Sequence, residues 1–67
     1  MATDSEILRT ANLLVEQYGE MAPAGAKIKA DQLNANGDDA GRKVWLRIAK
    51  ATEDLLATER PTSSTLH

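Results

Sequence analysis

The sequence predicts an all-α fold: a compact three-helix domain over about residues 4–18, 22–35 and 39–59, with a disordered C-terminal tail. Three observations carry this reading. Apolar residues recur at three- and four-residue spacing through three segments and nowhere alternate as a strand requires. Each segment opens on helix-entry chemistry, in turn Thr3-Asp4-Ser5-Glu6, Ala22-Pro23 and Asp38-Asp39. Each also meets a stop, at Gly19, at Asn36-Gly37 and at Pro61. Connections of a few residues then imply an up-down-up bundle or a more open three-helix arrangement. Residues 1–60 form one domain on this reading, and 61–67 a flexible polar tail.

The first helix is the most strongly marked. Thr3 and Glu6 have the spacing of a capping box, and Asp4 and Glu6 place negative charge at the positive end of the helix dipole. Ile7, Leu8, Ala11, Leu14, Val15 and Tyr18 fall within an arc of about 120° and make its inward face. Leu13 points almost oppositely, among Arg9, Glu16 and Gln17. A lone exposed Leu needs no special account; the functional alternative is a contact with another chain.

The second helix has a thin inward stripe of Ala22, Ala26, Ala30 and Leu33, with Gly25 beside them. Small side chains there suit a middle helix approached closely by two others. Met21, Ile28 and Ala35 line a second face, with Lys27 and Lys29 keeping it soluble. Asn36-Gly37 ends this helix and Asp38 is the N-cap of the next. The third helix carries Val44, Ile48, Ala51 and Leu55 as its central stripe, with Trp45, Thr52 and Leu56 alongside. Gly41 lies on the same face one turn before Trp45. Because Gly in a helix costs about 1 kcal/mol relative to Ala, it is expected to mark close approach of a neighbouring helix. Leu46, like Leu13, falls off the core arc.

Composition narrows the rest. Of the 28 apolar residues 11 are Ala, Phe is absent, and the chain has one Tyr and one Trp. The core must therefore be aliphatic, built around Tyr18 and Trp45. At 67 residues it supplies no more than about 3–5 kcal/mol, so assistance from a partner or a second copy is a natural expectation. Without Cys there is neither a disulfide nor a thiolate metal site. The single His is the terminal His67, with nothing beside it to make a general base or a ligand set. No stretch is long and apolar enough for a membrane span, and the N-terminus lacks the charge pattern of a signal peptide. The sequence-level expectation is a cytoplasmic protein.

The run Leu33-Asn34-Ala35-Asn36-Gly37-Asp38-Asp39-Ala40-Gly41-Arg42-Lys43-Val44-Trp45-Leu46-Arg47-Ile48-Ala49-Lys50-Ala51, preceded by Gln17-Tyr18-Gly19-Glu20 and Ala22-Pro23, resembles a family of short uncharacterised helical proteins widespread in alphaproteobacteria. The resemblance covers about residues 5–58. It rests on Gly19-Glu20, Gly37-Asp38, Gly41, Trp45 and Arg47 at their spacings. The family is a domain of unknown function, so the resemblance implies a bacterial helical protein with no activity, cofactor or catalytic residue to carry over.

Candidate chemistry is sparse. The adjacent acids Asp38-Asp39 and Glu53-Asp54 diverge by about 100° on a helix, so neither is a converging catalytic dyad, and no catalytic residue or cofactor is expected. Asn34, Asn36, Asp38 and Asp39 around Gly37 lack the alternating acids and twelfth-position Glu of a calcium loop; they read as turn and cap chemistry. Arg42, Lys43, Arg47 and Lys50 make a basic patch on the third helix that could face DNA or RNA as a recognition helix. Against that stand Asp38 and Asp39 at its start and the chain's net charge of −2. The leading expectation is a non-catalytic protein-interaction or self-associating module. Its outward apolar residues Leu13, Met21, Ile28 and Leu46 would form the interface, with a protein partner or homodimer burying them.

Overall fold

The computed structural model describes residues 3–59. Among them are helices α1 (Asp4–Tyr18), α2 (Ala22–Ala35) and α3 (Asp39–Glu59), and no strand. The tail expected over 61–67 lies outside the described residues.

The helix limits fall where the capping signals place them, but the count of separate helices is corrected. Gly19–Met21 is a 3-10 turn rather than a loop, so the helical backbone makes two uninterrupted runs, 4–35 and 39–59, instead of three. The reason is local. Gly19 takes φ 56°, ψ −128°, a conformation open to Gly but strained for other residues, and redirects the chain in one step. Its N–H still donates to Val15 O, and the Ala22 N–H donates to Gly19 O. These two bonds carry the backbone through the bend. Pro23 follows in the first turn of α2, where its missing N–H is not needed.

The other two junctions are closed by side chains and by one glycine. At the start of α1 the Glu6 N–H donates to Thr3 Oγ1 at 3.2 Å, and the Thr3 N–H to Glu6 Oε1 at 3.3 Å. Between α2 and α3, Gly37 (φ 80°) lets the Asp38 N–H reach Leu33 O at 2.8 Å while its own N–H reaches Asn34 O at 3.1 Å. That pair of bonds is a Schellman closure of α2. Asp38 then caps α3, its Oδ1 accepting from the Gly41 N–H at 2.9 Å. One residue therefore closes one helix with its backbone and opens the next with its side chain.

The core is narrow and small-grained. Ile7 and Ala11 of α1, Ala22, Ala26 and Ala30 of α2, and Ile48, Ala49 and Thr52 of α3 are buried. Ala22, Ala26 and Ala30 stand one turn apart, so α2 lies close along α3. Among the described residues Thr52 is the largest fully buried side chain, its hydroxyl donating back to Ala49 O at 2.6 Å. The helix in the middle is α3, not α2 as expected: α1 and α2 both pack on α3 and barely touch each other.

Several placements differ from the sequence expectation. Leu8 and Tyr18 are exposed rather than inward, because the flank α1 turns to α3 is only wide enough for Ile7 and Ala11, with Leu14 and Val15 half-buried. Gly25 has open space around it, with nothing within 4 Å of where a Cβ would stand, so it marks no helix contact within the chain. Gly41 is small for a different reason from the one expected. A Cβ there would meet the capping carboxylate, 2.6 Å from Asp38 Oδ2, and no neighbouring helix.

Candidate functional site

Because α1 and α2 share α3 as a support but hardly meet, a cleft remains between them. Its walls are Leu14 and Tyr18 of α1 and Ala24, Gly25, Ile28 and Lys29 of α2. Met21 lines it from the 3-10 turn, and Trp45 of α3 lines it from the supporting helix. The cleft holds about 350 Å³. Its sides are formed almost wholly by carbon, and Lys29 contributes the single ionised group among its lining residues. That volume lies at the small end of ligand pockets, but no set of polar groups converges in it, as orientation of a small substrate would require. Tyr18 (55% exposed), Met21 (65%) and Ile28 (58%) are among the most exposed large apolar side chains of the described residues. They are gathered at one place instead of scattered.

Two of the four residues singled out from sequence as an interface, Met21 and Ile28, meet in this cleft. Leu13 and Leu46 are exposed as expected but line no part of it. Missed from sequence were Tyr18 and Trp45, both assigned to the core, and Gly25 and Lys29. A signal was present: Met21, Gly25 and Ile28 stand at i, i+4 and i+7, the spacing of one helix face, although Met21 belongs to the turn before α2. Trp45 is half-buried. It packs on the Ile7–Ala11–Ala26–Ile48–Ala49 core while also lining the cleft and a second groove with Glu6, Ile7, Arg9, Thr10, Val44 and Ile48.

The four basic residues of the nucleic-acid reading are each held against a carboxylate. Arg42 and Lys43 approach Asp39 at 3.6 and 3.2 Å, Lys50 approaches Asp54 at 3.2 Å, and Arg47 reaches across to Asp4 of α1 at 3.0 Å. Lys27 similarly bridges α2 to Glu53 of α3 at 3.3 Å. These are exposed pairs worth well under about 1 kcal/mol each. Their effect is to interleave the signs, so the face presents little net positive potential to a phosphate backbone. The hydrogen bond and charge of Lys43, with Arg42 behind them, hold the Asp39 carboxyl below its ordinary pKa. Arg42 Nε is buried without an acceptor.

Compared with known proteins, the chain matches no protein-family model, and no curated protein and no solved structure is significantly similar to it. Among the described residues no group of three or more His, Cys, Asp or Glu side chains is placed to hold a metal ion. Nor is any described helix long and apolar enough to cross a membrane. Of the seven cationic side chains described, five lie against carboxylates; Arg9 and Lys29 pair with none among the described residues. Each lines a groove beside Trp45, and Lys29 belongs to the apolar one.

Proposed function

We propose that this protein is a small non-catalytic protein-interaction module and that the α1–α2 cleft is its contact surface. On this reading it is a cytoplasmic all-helical bacterial domain, related to the alphaproteobacterial family that the Leu33–Ala51 pattern resembles. One observation carries the proposal. The core is filled by Ala, Ile and Thr, while Tyr18, Met21 and Ile28 stand in water around a shared cleft beside Trp45. A small domain with so little apolar surface to spend on its core gains nothing in stability from that arrangement. A contiguous apolar patch with a polar surround is the mark of a surface that another protein covers, and aromatic and Met side chains are those enriched in such contacts.

The test compares the wild type with Ile28→Glu, which leaves the buried Ala stripe of α2 untouched. Far-UV circular dichroism should be the same for both. Capture from extract of the native cell, or sedimentation at tens of micromolar where the partner is a second copy, should show a complex with the wild type that the variant loses. A strict monomer that captures the same proteins with and without Ile28 overturns the proposal.

A further inference from the structure

We infer that the cleft receives an amphipathic α-helix of another protein, seated between α1 and α2, with a carboxylate on its flank meeting Lys29. The inference rests on the cleft being an interaction surface and adds what occupies it. The shape argues for a helix. The side walls are themselves two helices, both supported by α3 and scarcely in contact, and a helix laid between them satisfies the same ridge-into-groove packing that holds each to α3. Its apolar residues at i, i+3 or i+4, and i+7 would enter the space between Leu14, Tyr18, Met21, Ile28 and Trp45.

Gly25 and Ala24 support this independently. They form the low part of the α2 wall, and the position where a Cβ would stand on Gly25 opens onto free space. Gly in an exposed helix interior is unfavourable against Ala, with no return inside the free protein. A helix docked in the cleft supplies the return, because Gly lets the two backbones approach at the short end of the roughly 8–10 Å range for packed helices.

Charge selects the partner. Five cations of the described residues form ion pairs with carboxylates, whereas Lys29 stands beside the apolar cleft and forms none with those residues. A second copy docked cleft to cleft about a twofold axis would bring two Lys29 ammonium groups to the same interface, which disfavours self-association through this surface. An acidic flank on the incoming helix turns the same residue into an attraction.

The experiment uses two synthetic helical peptides with the same Leu stripe, one flanked by Glu and the other by Lys. Each is titrated into the full chain while Trp45 fluorescence and amide chemical shifts are followed. The Glu-flanked peptide should bind about 3- to 10-fold more tightly at low salt. Its shifts should centre on Leu14, Tyr18, Met21, Gly25 and Ile28, and its advantage should shrink as salt rises. Lys29→Glu should invert the preference, and Ile28→Glu should abolish binding of both peptides. Equal affinity for the two peptides, shifts centred elsewhere, or binding of neither peptide overturns the inference. If neither binds but the wild type forms a dimer that Ile28→Glu abolishes, the cleft is an interface and only its occupant is wrong. If neither binds, the wild type is a strict monomer, and Ile28→Glu leaves the captured proteins unchanged, both readings fall.

Discussion

The junction between α2 and α3 permits a quantitative test, because the cap and the glycine beside it oppose each other. Asp38→Ala removes the acceptor of the Gly41 N–H but keeps the Asp38 backbone N–H that bonds to Leu33 O. Only the start of α3 should suffer, by about 1 kcal/mol, the usual loss for an N-cap acid replaced by Ala. Gly41→Ala gains up to about 1 kcal/mol of helix propensity. Its new Cβ, however, would stand 2.6 Å from Asp38 Oδ2, so the carboxylate must shift, and it is expected to weaken its bond to the amide it caps. In the wild-type background the two effects nearly cancel. In the Asp38→Ala background the clash is gone and Gly41→Ala should stabilise by its full amount. The cycle therefore predicts a coupling of about 1 kcal/mol between adjacent turns. Urea unfolding followed at 222 nm reads it directly. With a slope near 1 kcal/mol/M for so small a domain, the Gly41→Ala midpoint should rise by about 1 M without Asp38 and hardly move with it. Equal stabilisation in both backgrounds would show that the carboxylate swings aside freely and that the cap does not require Gly. Equal destabilisation would restore the idea that another helix packs against Gly41, and would refute the local account.

Trp45→Ala should cost about 3 kcal/mol, the low end for truncating a large aromatic, because the ring is half-buried between two open grooves. Against a total of roughly 3–5 kcal/mol that leaves about 0–2 kcal/mol, so the variant should unfold at much lower urea than the wild type by circular dichroism; a variant as stable as the wild type would remove Trp45 from the core. Gly25→Ala should raise the urea midpoint, by roughly 0.5–1 kcal/mol in stability, because its methyl meets nothing; a fall would mean that something packs there in the free protein. For Asp39 the folded carboxyl titrates below its unfolded value, owing first to the Lys43 hydrogen bond and then to the Lys43 charge. Its stabilising contribution is thus present above the unfolded pKa of about 3.9 and is lost as pH falls through the folded value. Lys43→Met should raise the Asp39 pKa in a carboxyl NMR titration and flatten that part of the acid limb; an unchanged Asp39 titration would refute the pairing.

What could be read in advance was the chemistry that acts over three or four residues. Thr3 with Glu6, Gly19, Gly37 and Asp38 set their helix ends through bonds to near neighbours, and the sequence holds both partners of each bond. The Ala22–Ala26–Ala30 stripe was legible for the same reason. What was not legible depends on which helix lies in the middle. An apolar arc on α1 is read as if a neighbour covered its full width, which places Leu8 and Tyr18 inward. In the structure α3 supplies most of the cover, and fully only at Ile7 and Ala11, with Leu14 and Val15 at the margin. Gly25 and Gly41 show the complementary ambiguity. Sequence registers that a side chain is absent but not what occupies the space: at Gly41 it is a carboxylate one turn away, at Gly25 it is open.

The cleft follows from the same choice of small residues that builds the core. Ala22, Ala26 and Ala30 facing Ile48, Ala49 and Thr52 bring α2 close to α3. At that separation no volume remains between them for a Tyr, Met or Leu side chain, in an interior that tolerates few voids and little overpacking. The larger apolar residues near the bend are therefore displaced to the margins, where α1 and α2 diverge from the 3-10 turn. Had the α2 stripe been Leu, α2 would ride higher on α3, Tyr18 and Ile28 would have a space to fill, and the cleft would close around them. The close contact that holds α2 to α3 is thus also what leaves the Tyr18–Met21–Ile28 surface open. That links stability to recognition through one set of residues: a substitution that enlarges Ala26 acts on the cleft even though its side chain never reaches it.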